Sequence, residues 1–309
     1  MHAYRLYKGR LKIVLKIKDD PFMFERWINH HIRIVDYFQI IVFDNESTDA
    51  ALFDLYRKIP EDTQVVSFGD FHDHIHSTDR FRKLYDALSA STDFAAFLDV
   101  DEFLYWCDGT TIRADHGLRD HLSRADKNAL FPGLWAQNRD GSLDEFVTSD
   151  ADGRPIFKHG YHWGKPIIPM RRPALKGFVN HTVQLLENNA LGSIEGGALV
   201  FHASRYDAAQ RIAANIRKIV GKGYLAPNED WRNGLLPNRW AKADPHVRVY
   251  LCELVEYSAS KVFRYVPSTV GSKGWVKFDQ TTGRVAGHPA TLEAFLEAVR
   301  SPSDYFPVS

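Results

Sequence analysis

The chain has 309 residues, and its 39 lysines and arginines balance 39 aspartates and glutamates, so the formal net charge is zero. This balance argues against a nucleic-acid partner, because such binding requires an excess of basic residues. The two cysteines, Cys107 and Cys252, exclude a disulfide framework and indicate a reducing compartment. We expect no transmembrane segment, because no uncharged run approaches about 20 residues. A cytoplasmic location is therefore expected, with peripheral contact at the inner face of a membrane as an alternative.

Strands and helices alternate over the first hundred residues. Residues 11–17 alternate apolar side chains with lysines, which predicts a strand, and Asp19-Asp20-Pro21 then begins a helix. The further expected elements are strand 38–43, helix 50–59 capped by Asp49, strand 65–68, helix 78–89 and strand 94–98. This order predicts an α/β fold with a mixed, mostly parallel sheet flanked by helices, and residues 291–300 add a C-terminal helix.

Acidic residues follow three of the predicted strands: Asp19-Asp20, Asp44, and the pair Asp99 and Asp101. In such sheets ligands bind beyond the carboxyl ends of the strands. Carboxylates after a buried strand are costly unless they are paired or coordinated. Their oxygens suit Mg²⁺ or Mn²⁺, which also bridge phosphate oxygens. The pattern predicts a divalent-cation and diphosphate site, and the alternative is a solvated turn with ordinary ion pairs.

Four segments occur in an order that resembles the family-two and family-ninety-two glycosyltransferases. They are Lys-Asp-Asp at 18–20, Trp-Ile-Asn-His-His at 27–31, Asp-Asn-Glu-Ser-Thr-Asp at 44–49 and Phe-Leu-Asp-Val-Asp-Glu-Phe at 97–103. The resemblance covers residues 11–104, about a third of the chain. It departs from the family at Asp19-Asp20, where the family usually has Asn-Glu, although an acid is kept at the second position.

The resemblance implies a GT-A (Rossmann-like) fold and a nucleoside-diphosphate sugar donor, with a UDP-sugar favoured. It also implies Mn²⁺ or Mg²⁺ as cofactor and an inverting transfer to a saccharide or glycoconjugate acceptor, as in polysaccharide biosynthesis. Lys18, Asp20, Asp44 and Asp99 would bind the nucleotide sugar, and Asp99 and Asp101 would bind the metal. Glu102 is expected to support the turn rather than to contact the metal.

The second half of the chain adds basic and imidazole groups at positions similar to the family's. Lys165 and Arg205 would contact the diphosphate. His202 ends an apolar stretch and would complete the metal shell, which requires its ring to lie within about 8 Å of Asp101; the alternative is a structural histidine. Trp135 is either a sugar-stacking ring or a core residue.

The catalytic base has two candidates, because an inverting transfer requires a carboxylate near the acceptor hydroxyl. Asp140 and Glu195 each lie in a polar loop between segments that resemble the family. The residues themselves do not choose between them.

We expect a single GT-A domain over residues 1–309, with a nucleotide-binding half (1–110), an acceptor-binding half (111–270) and a C-terminal extension (271–309). Two other functions compete with the transferase. One is a degenerate GT-A domain that binds sugar or protein without turnover. The other is a metallohydrolase built on His72, His74 and His76, because alternating histidines on a strand project to one side.

Overall fold

The computed structural model describes residues 9–69, 75–77, 79–139, 141–147, 165–170, 175–179, 182–185, 195–204, 206–260, 275–279, 282 and 284–300. The strands in these ranges are β1 (Gly9–Ile17), β2 (Ile40–Asp44), β3 (Gln64–Ser67), β4 (Thr92–Asp99), β5 (Glu102–Cys107), β6 (Ile112–Arg113), β7 (Leu134–Gln137), β8 (Glu145–Val147), β9 (Ile167–Pro169), β10 (Leu175–Val179), β11 (Thr182–Leu185), β12 (Ala198–His202), β13 (Trp275–Asp279) and β14 (Arg284–Gly287). The helices are α1 (Pro21–His31), α2 (Ala50–Tyr56), α3 (Arg82–Ser91), α4 (Gly117–Arg124), α5 (Ala208–Gly221), α6 (Pro237–Trp240), α7 (Pro245–Ser260) and α8 (Pro289–Arg300).

The first sheet has the strand order β3-β2-β1-β4-β9. Its first four strands are parallel, and β9 pairs with β4 in the antiparallel direction. The predicted mixed α/β fold is therefore confirmed. The order reverses between β1 and β4, and doubly wound sheets bind their ligands in the crevice beside such a reversal.

The acidic residues that follow these strands lie along one edge of the sheet. Ile17 aligns with Asp44, and Lys16 aligns with Asp99 in the pairing on the other side of β1. The convergence that the sequence predicts is therefore present. It brings a lysine of β1 beside the first aspartate of the Asp-Val-Asp segment.

A second sheet follows in the order β7-β12-β5-β6-β14-β13-β8 and is antiparallel except for the β7–β12 pair. Strand β5 begins immediately after the turn that ends β4. The Asp-Val-Asp segment is therefore the link between the two sheets. The main apolar cluster includes residues of both sheets and of α1, so the two sheets share one hydrophobic core.

Helix boundaries agree with the sequence in part. The Asp49 carboxylate accepts a hydrogen bond from Ala51 N and caps α2, as expected. The helix ends at Tyr56 rather than at 59, because Ile59 precedes Pro60 and such residues disfavour the helical conformation. Helix α3 begins at Arg82, four residues later than predicted.

Two neighbouring histidines fasten α1 to β5. His30 Nε2 donates to the carbonyl of Leu104 at 2.7 Å, and the Leu104 amide donates to His31 Nε2 at 3.2 Å. His31 Nδ1 in turn donates to Trp27 O at 2.8 Å, which leaves Nε2 as the acceptor. Both histidines are buried, and burial lowers the pKa of His30 to about 4.

Among the described residues, no helix is long and apolar enough to cross a membrane.

The neutral His30 makes stability depend on pH. Its folded pKa of about 4 lies below its ordinary 6.5, so between these values the unfolded chain binds more protons and stability falls as the pH falls. From pH 7.5 to pH 5 this group removes about 2 kcal/mol from the free energy of unfolding. We expect His30→Gln to reduce that loss in urea titrations at the two pH values. An unchanged pH dependence in the variant would contradict this assignment.

Candidate functional site

Asp99, the last residue of β4, lies between two buried lysines. Lys16 Nζ is 3.0 Å from Asp99 Oδ1, and Lys165 Nζ is 2.9 Å from Asp99 Oδ2. The lysine side chains are 2% and 1% exposed, whereas that of Asp99 is 29% exposed. Both oxygens of Asp99 are thus engaged by ammonium groups. Its role as a metal ligand stays a prediction.

Glu102 stabilises the turn from within the core. Its Oε2 accepts a hydrogen bond from Asp99 N at 2.7 Å and lies 3.2 Å from Lys165 Nζ. Burial raises the pKa of Glu102 to about 8, with the negative charges of Asp99 and Asp101 adding to the rise and Lys165 opposing it. The expected role of Glu102 as a support of the turn is confirmed.

A glycine positions Lys165 in this cluster. Gly133 has a left-handed φ of 62°, and its carbonyl accepts a hydrogen bond from Lys165 N at 3.2 Å. A Cβ at this position would collide with the carbonyl oxygen of Lys165. The close approach of the two backbones therefore requires glycine. Lys165 was a predicted site residue, and the structure gives it Asp99 and Glu102 as partners.

Lys16 extends the cluster to a histidine. Its Nζ is 3.0 Å from His76 Nε2, and both side chains are buried. Of the three histidines in the hydrolase hypothesis, His72 and His74 lie outside the described residues. His76 itself contacts a lysine ammonium, which competes with a metal ion for the same ring nitrogen.

Asp101 faces His202 across the end of the second sheet. His202 pairs with Glu102 in the β5–β12 register, and Ala203 N donates to Asp101 O at 2.7 Å. These backbone contacts place His202 Nε2 at 3.3 Å from Asp101 Oδ2. The proximity that a shared metal requires is present, and the metal role itself stays a prediction.

Two amide side chains fix the proton of His202. Asn138 Nδ2 donates to the carbonyls of Arg139 and Ser142, so Asn138 Oδ1 faces Gln137 and accepts from Gln137 Nε2 at 2.7 Å. The same Gln137 Nε2 donates to His202 O at 3.0 Å. Gln137 Oε1 therefore lies toward His202 Nδ1, at 3.1 Å, and Nδ1 carries the proton. This leaves the lone pair of a neutral His202 on Nε2, which faces Asp101.

A lone pair that faces a carboxylate oxygen is repelled unless a proton or a cation lies between them. The Asp101 carboxylate stays ionised at this position. Burial disfavours its charge, but the attraction and hydrogen bond of His202 and the charge of Lys218 hold the pKa of Asp101 well below its usual range. In the part of the chain that the structure describes, no group of three or more His, Cys, Asp or Glu side chains is arranged to hold a metal ion.

The predicted nucleotide-binding residues organise the loops beside β1 and β2. Lys18 Nζ donates to the carbonyl of Asn45 at 2.9 Å. Asp44 is buried and accepts from Ser47 N and Tyr56 Oη, each at 2.7 Å. Asp44 therefore shapes the loop that follows its strand, and its nucleoside contact stays a prediction.

Asp20 lies at the start of α1 and caps it by accepting from Met23 N at 3.1 Å. Burial raises the pKa of Asp20 to about 6, and Asp101 and Asp49 add to the rise, whereas Arg217 lowers it. The negative charge of Asp101 therefore affects the pKa of Asp20. The first turn of α1 is part of the same site.

Two cations of α5 interact with the acidic residues of the site. Lys218 interacts electrostatically with Asp99 and Asp101, and Arg217 interacts with Asp20. The buried Arg211–Glu253 ion pair, at 2.8 Å, anchors α5 to α7. The sequence signal for these cations was the basic face of the helix, but only the packing of α5 shows which way it points.

The structure does not bring Glu195 to this site. Glu195 precedes β12, whereas His202 ends it, so the length of the strand, about 13 Å, separates them. The strand therefore separates Glu195 from the Asp101–His202 pair, and its role as the base stays a prediction. Asp140 and Arg205 lie outside the described residues. Trp135 is buried, with its ring centroid 4.5 Å from that of His202, so it supports His202 rather than forming an exposed sugar platform.

Comparisons with known proteins give distant likenesses. No family model and no curated relative matches the chain. Similar solved structures include S. aureus TarS 1-349 (TM-score 0.34, 10% identity, 82% of this chain and 73% of that chain). They also include GalNAc-T7 with UDP, GalNAc and Mn²⁺ (TM-score 0.34, 12% identity, 82% of this chain and 58% of that chain). A third is the mannosyltransferase PcManGT from Pyrobaculum calidifontis with GDP-Man and Mn²⁺ (TM-score 0.30, 13% identity, 82% of this chain and 88% of that chain). At these scores the likeness carries no functional weight beside the geometry of the site.

Removing Lys165 tests the charge cluster. Lys165→Met leaves a buried Glu102 without its cation, and such a loss costs about 3–5 kcal/mol when the carboxylate is ionised. The pKa of Glu102 is raised from 4.5 to about 8, so at pH 6 it carries a proton and at pH 9 it does not. We expect the free energy of unfolding of the variant, measured with urea, to fall more at pH 9 than at pH 6. The exposed Lys58→Met is the control, and equal losses at both pH values would contradict the role given to Glu102.

Proposed function

We propose that the chain is a divalent-cation-dependent glycosyltransferase that moves a sugar from a nucleoside-diphosphate donor, with a UDP-sugar favoured, to a saccharide or glycoconjugate acceptor. The observation that carries this proposal is the contact of Asp101 with His202. Gln137 fixes the orientation of the His202 ring so that Nε2 faces the ionised carboxylate of Asp101, and the pair lies beside the point where the strand order reverses. This contact requires a proton or a cation between the two groups, and a divalent cation would occupy that position when bound.

The two side chains fit Mn²⁺ or Mg²⁺ by their chemistry. Carboxylate oxygens suit both ions, and imidazole is accepted by Mn²⁺. Proteins commonly hold Mg²⁺ by one or two carboxylates and the phosphates of the substrate, so two protein ligands are sufficient. When bound, the cation would neutralise the charge that develops on the diphosphate leaving group. Gln137 would orient His202 as ligating histidines are usually oriented, through the second ring nitrogen.

The remaining charges of the site suit a nucleoside diphosphate. Lys218 and Arg217 lie on α5 near the acidic residues, where they would attract the diphosphate and compensate for Asp99 and Asp101. Lys18, Asp20 and Asp44 lie at the ends of β1 and β2, where we place the nucleoside. Asp99, held by Lys16 and Lys165, would accept a hydrogen bond from a ribose hydroxyl as a fixed, charge-balanced group.

An inverting transfer needs a carboxylate that takes the proton of the acceptor hydroxyl. Asp140 is the proposed base now that Glu195 lies away from the site. It follows Arg139, and the preceding Asn138 and Gln137 belong to the network that orients His202. This assignment rests on position in the chain alone.

A nucleotide-binding domain without turnover is the second candidate. The engagement of both Asp99 oxygens by lysines favours it, because it leaves Asp101 as the one carboxylate of the Asp-Val-Asp segment that faces His202. The two functions differ in turnover. Release of nucleoside diphosphate from a UDP-sugar supports the transferase, whereas metal-dependent binding without release supports the second candidate.

Asp101→Asn tests the cation site. We expect the variant to lose Mn²⁺-dependent binding of UDP in isothermal titration calorimetry, because it removes the negative charge that attracts the ion. The melting temperature should stay within a few degrees of the parent chain. Asp54→Asn, at an exposed position on α2, is the matched control and should bind as the parent does. Full Mn²⁺-dependent binding by Asp101→Asn would overturn the proposed metal role.

Gln137 variants test the orientation of His202. Gln137→Leu removes the acceptor for His202 Nδ1, and we expect the Mn²⁺ affinity measured with UDP present to fall about 10- to 100-fold. Gln137→Glu keeps an acceptor at the same position and should retain most of the affinity, although both variants lose the donations of Gln137 Nε2. A purely structural role would instead weaken metal binding equally in both variants.

A further inference from the structure

A cavity of about 120 Å³ lies between α1 and the second sheet. Its floor is aromatic and includes Phe103 and Tyr105 of β5 and Phe278 of β13. Its polar wall is formed mainly by α1. The polar groups around it are Arg26, Asn29, His30, Arg33 and Asp144.

Arg26 and Arg33 place two positive charges at this cavity. Arg26 lies on α1 and Arg33 lies in the turn that follows the helix, and both line the cavity. Both are partly buried, and neither forms an ion pair with any residue that the structure describes. Arg26 lies over the ring of Phe22, with Cζ 5.3 Å from the centroid. Guanidinium groups bind carboxylates and phosphates through paired N–H groups, so their natural partner here is an oxyanion.

The other polar groups leave the cavity with net positive charge. His30 is neutral near pH 7, because burial lowers its pKa to about 4, and its Nε2 is committed to Leu104 O. Asp144 supplies one negative charge, and its backbone is fixed by Ser142 Oγ and by Phe278 N. Among the described lining residues, two arginines against one aspartate give a net charge of +1. The volume is slightly smaller than an engineered cavity of about 150 Å³ that accepts benzene, so it suits one small group rather than a whole nucleotide.

A line of side chains joins the cavity to the cation site. The ring of Phe22 stacks on that of Tyr206, with centroids 5.2 Å apart and planes at 23°, and its other contact is Arg26. Tyr206 interacts electrostatically with Asp20 and Asp101. The Tyr206 hydroxyl is buried and has no hydrogen-bond partner among the described residues. From Asp20 the helix axis covers about 9 Å to Arg26, so an extended molecule could contact both the cation site and the cavity.

We propose that this cavity binds a carboxylate or phosphate group carried by the acceptor, which would make the acceptor an acidic saccharide or a phosphate-containing glycoconjugate. The identification of the bound molecule as the acceptor rests on the proposed function, whereas the binding of an oxyanion between Arg26 and Arg33 does not depend on it. Leu143 and Asp144, which follow β7 in the predicted acceptor-binding half, complete the rim.

The experiment measures binding of small probes to the full chain at pH 7.5 by NMR titration. The probes are inorganic phosphate for the phosphate source, glucuronate for the sugar-carboxylate source and glucose as the neutral control. The variants are Arg26→Gln and Arg33→Gln, and Arg57→Gln, at an exposed position directly after α2, is the matched control. Binding of UDP with Mn²⁺ is measured on the same proteins by calorimetry.

We expect phosphate or glucuronate to bind at least tenfold more tightly than glucose, and each cavity variant to weaken that binding about tenfold, or about 1.4 kcal/mol. Arg57→Gln should leave it unchanged. Equal anion binding by Arg33→Gln and the parent chain, or no preference over glucose, would overturn the proposal. Arg33→Gln should keep its affinity for UDP with Mn²⁺. If the parent chain binds the anions through Arg26 and Arg33 but does not bind UDP with Mn²⁺, the oxyanion site stands and the proposed transferase fails.

Discussion

The ion pairs of Asp99 with Lys16 and Lys165 are the interaction on which the site depends. The three residues come from β1, from β4 and from the segment before β9, so the charge balance ties distant parts of the chain together. Buried charges are expensive without partners, and each of these groups supplies the partner that another requires. Glu102 completes the balance by binding both Lys165 and the backbone of Asp99.

This charge cluster fixes the turn that joins the two sheets. Because β5 begins directly after that turn, Asp101 is carried to the edge of β12 and meets His202. The His30–His31 pair fastens β5 to α1 at Leu104, so the first turn of α1, with Asp20, lies beside the same carboxylate. The site is thus a product of one turn and of the strands that hold it, and its chemistry follows from where the turn places Asp101.

The amide pair Gln137–Asn138 illustrates what a sequence does not disclose. Neither residue was a candidate, because glutamine and asparagine are common in polar loops and no spacing marks them. Their importance lies in the direction of their hydrogen bonds, which determines the proton position on His202. Lys16 was missed for a related reason. An alternating lysine in a strand is normally solvated, but here β1 is central, so its second face is buried as well.

The sequence alone determined the alternation of strands and helices over the first hundred residues and the convergence of Asp19-Asp20, Asp44 and Asp99 at one sheet edge. It could do so because hydrophobic periodicity and strand-end position are local properties. Tertiary structure alone decided that Asp99 forms ion pairs with lysines and that Asp101 contacts His202. It also decided that Glu195 lies at the far end of β12 and that Lys218 of α5 interacts with the acidic residues. These outcomes depend on which strands pair and in what register, and such long-range pairing leaves no local pattern in the chain.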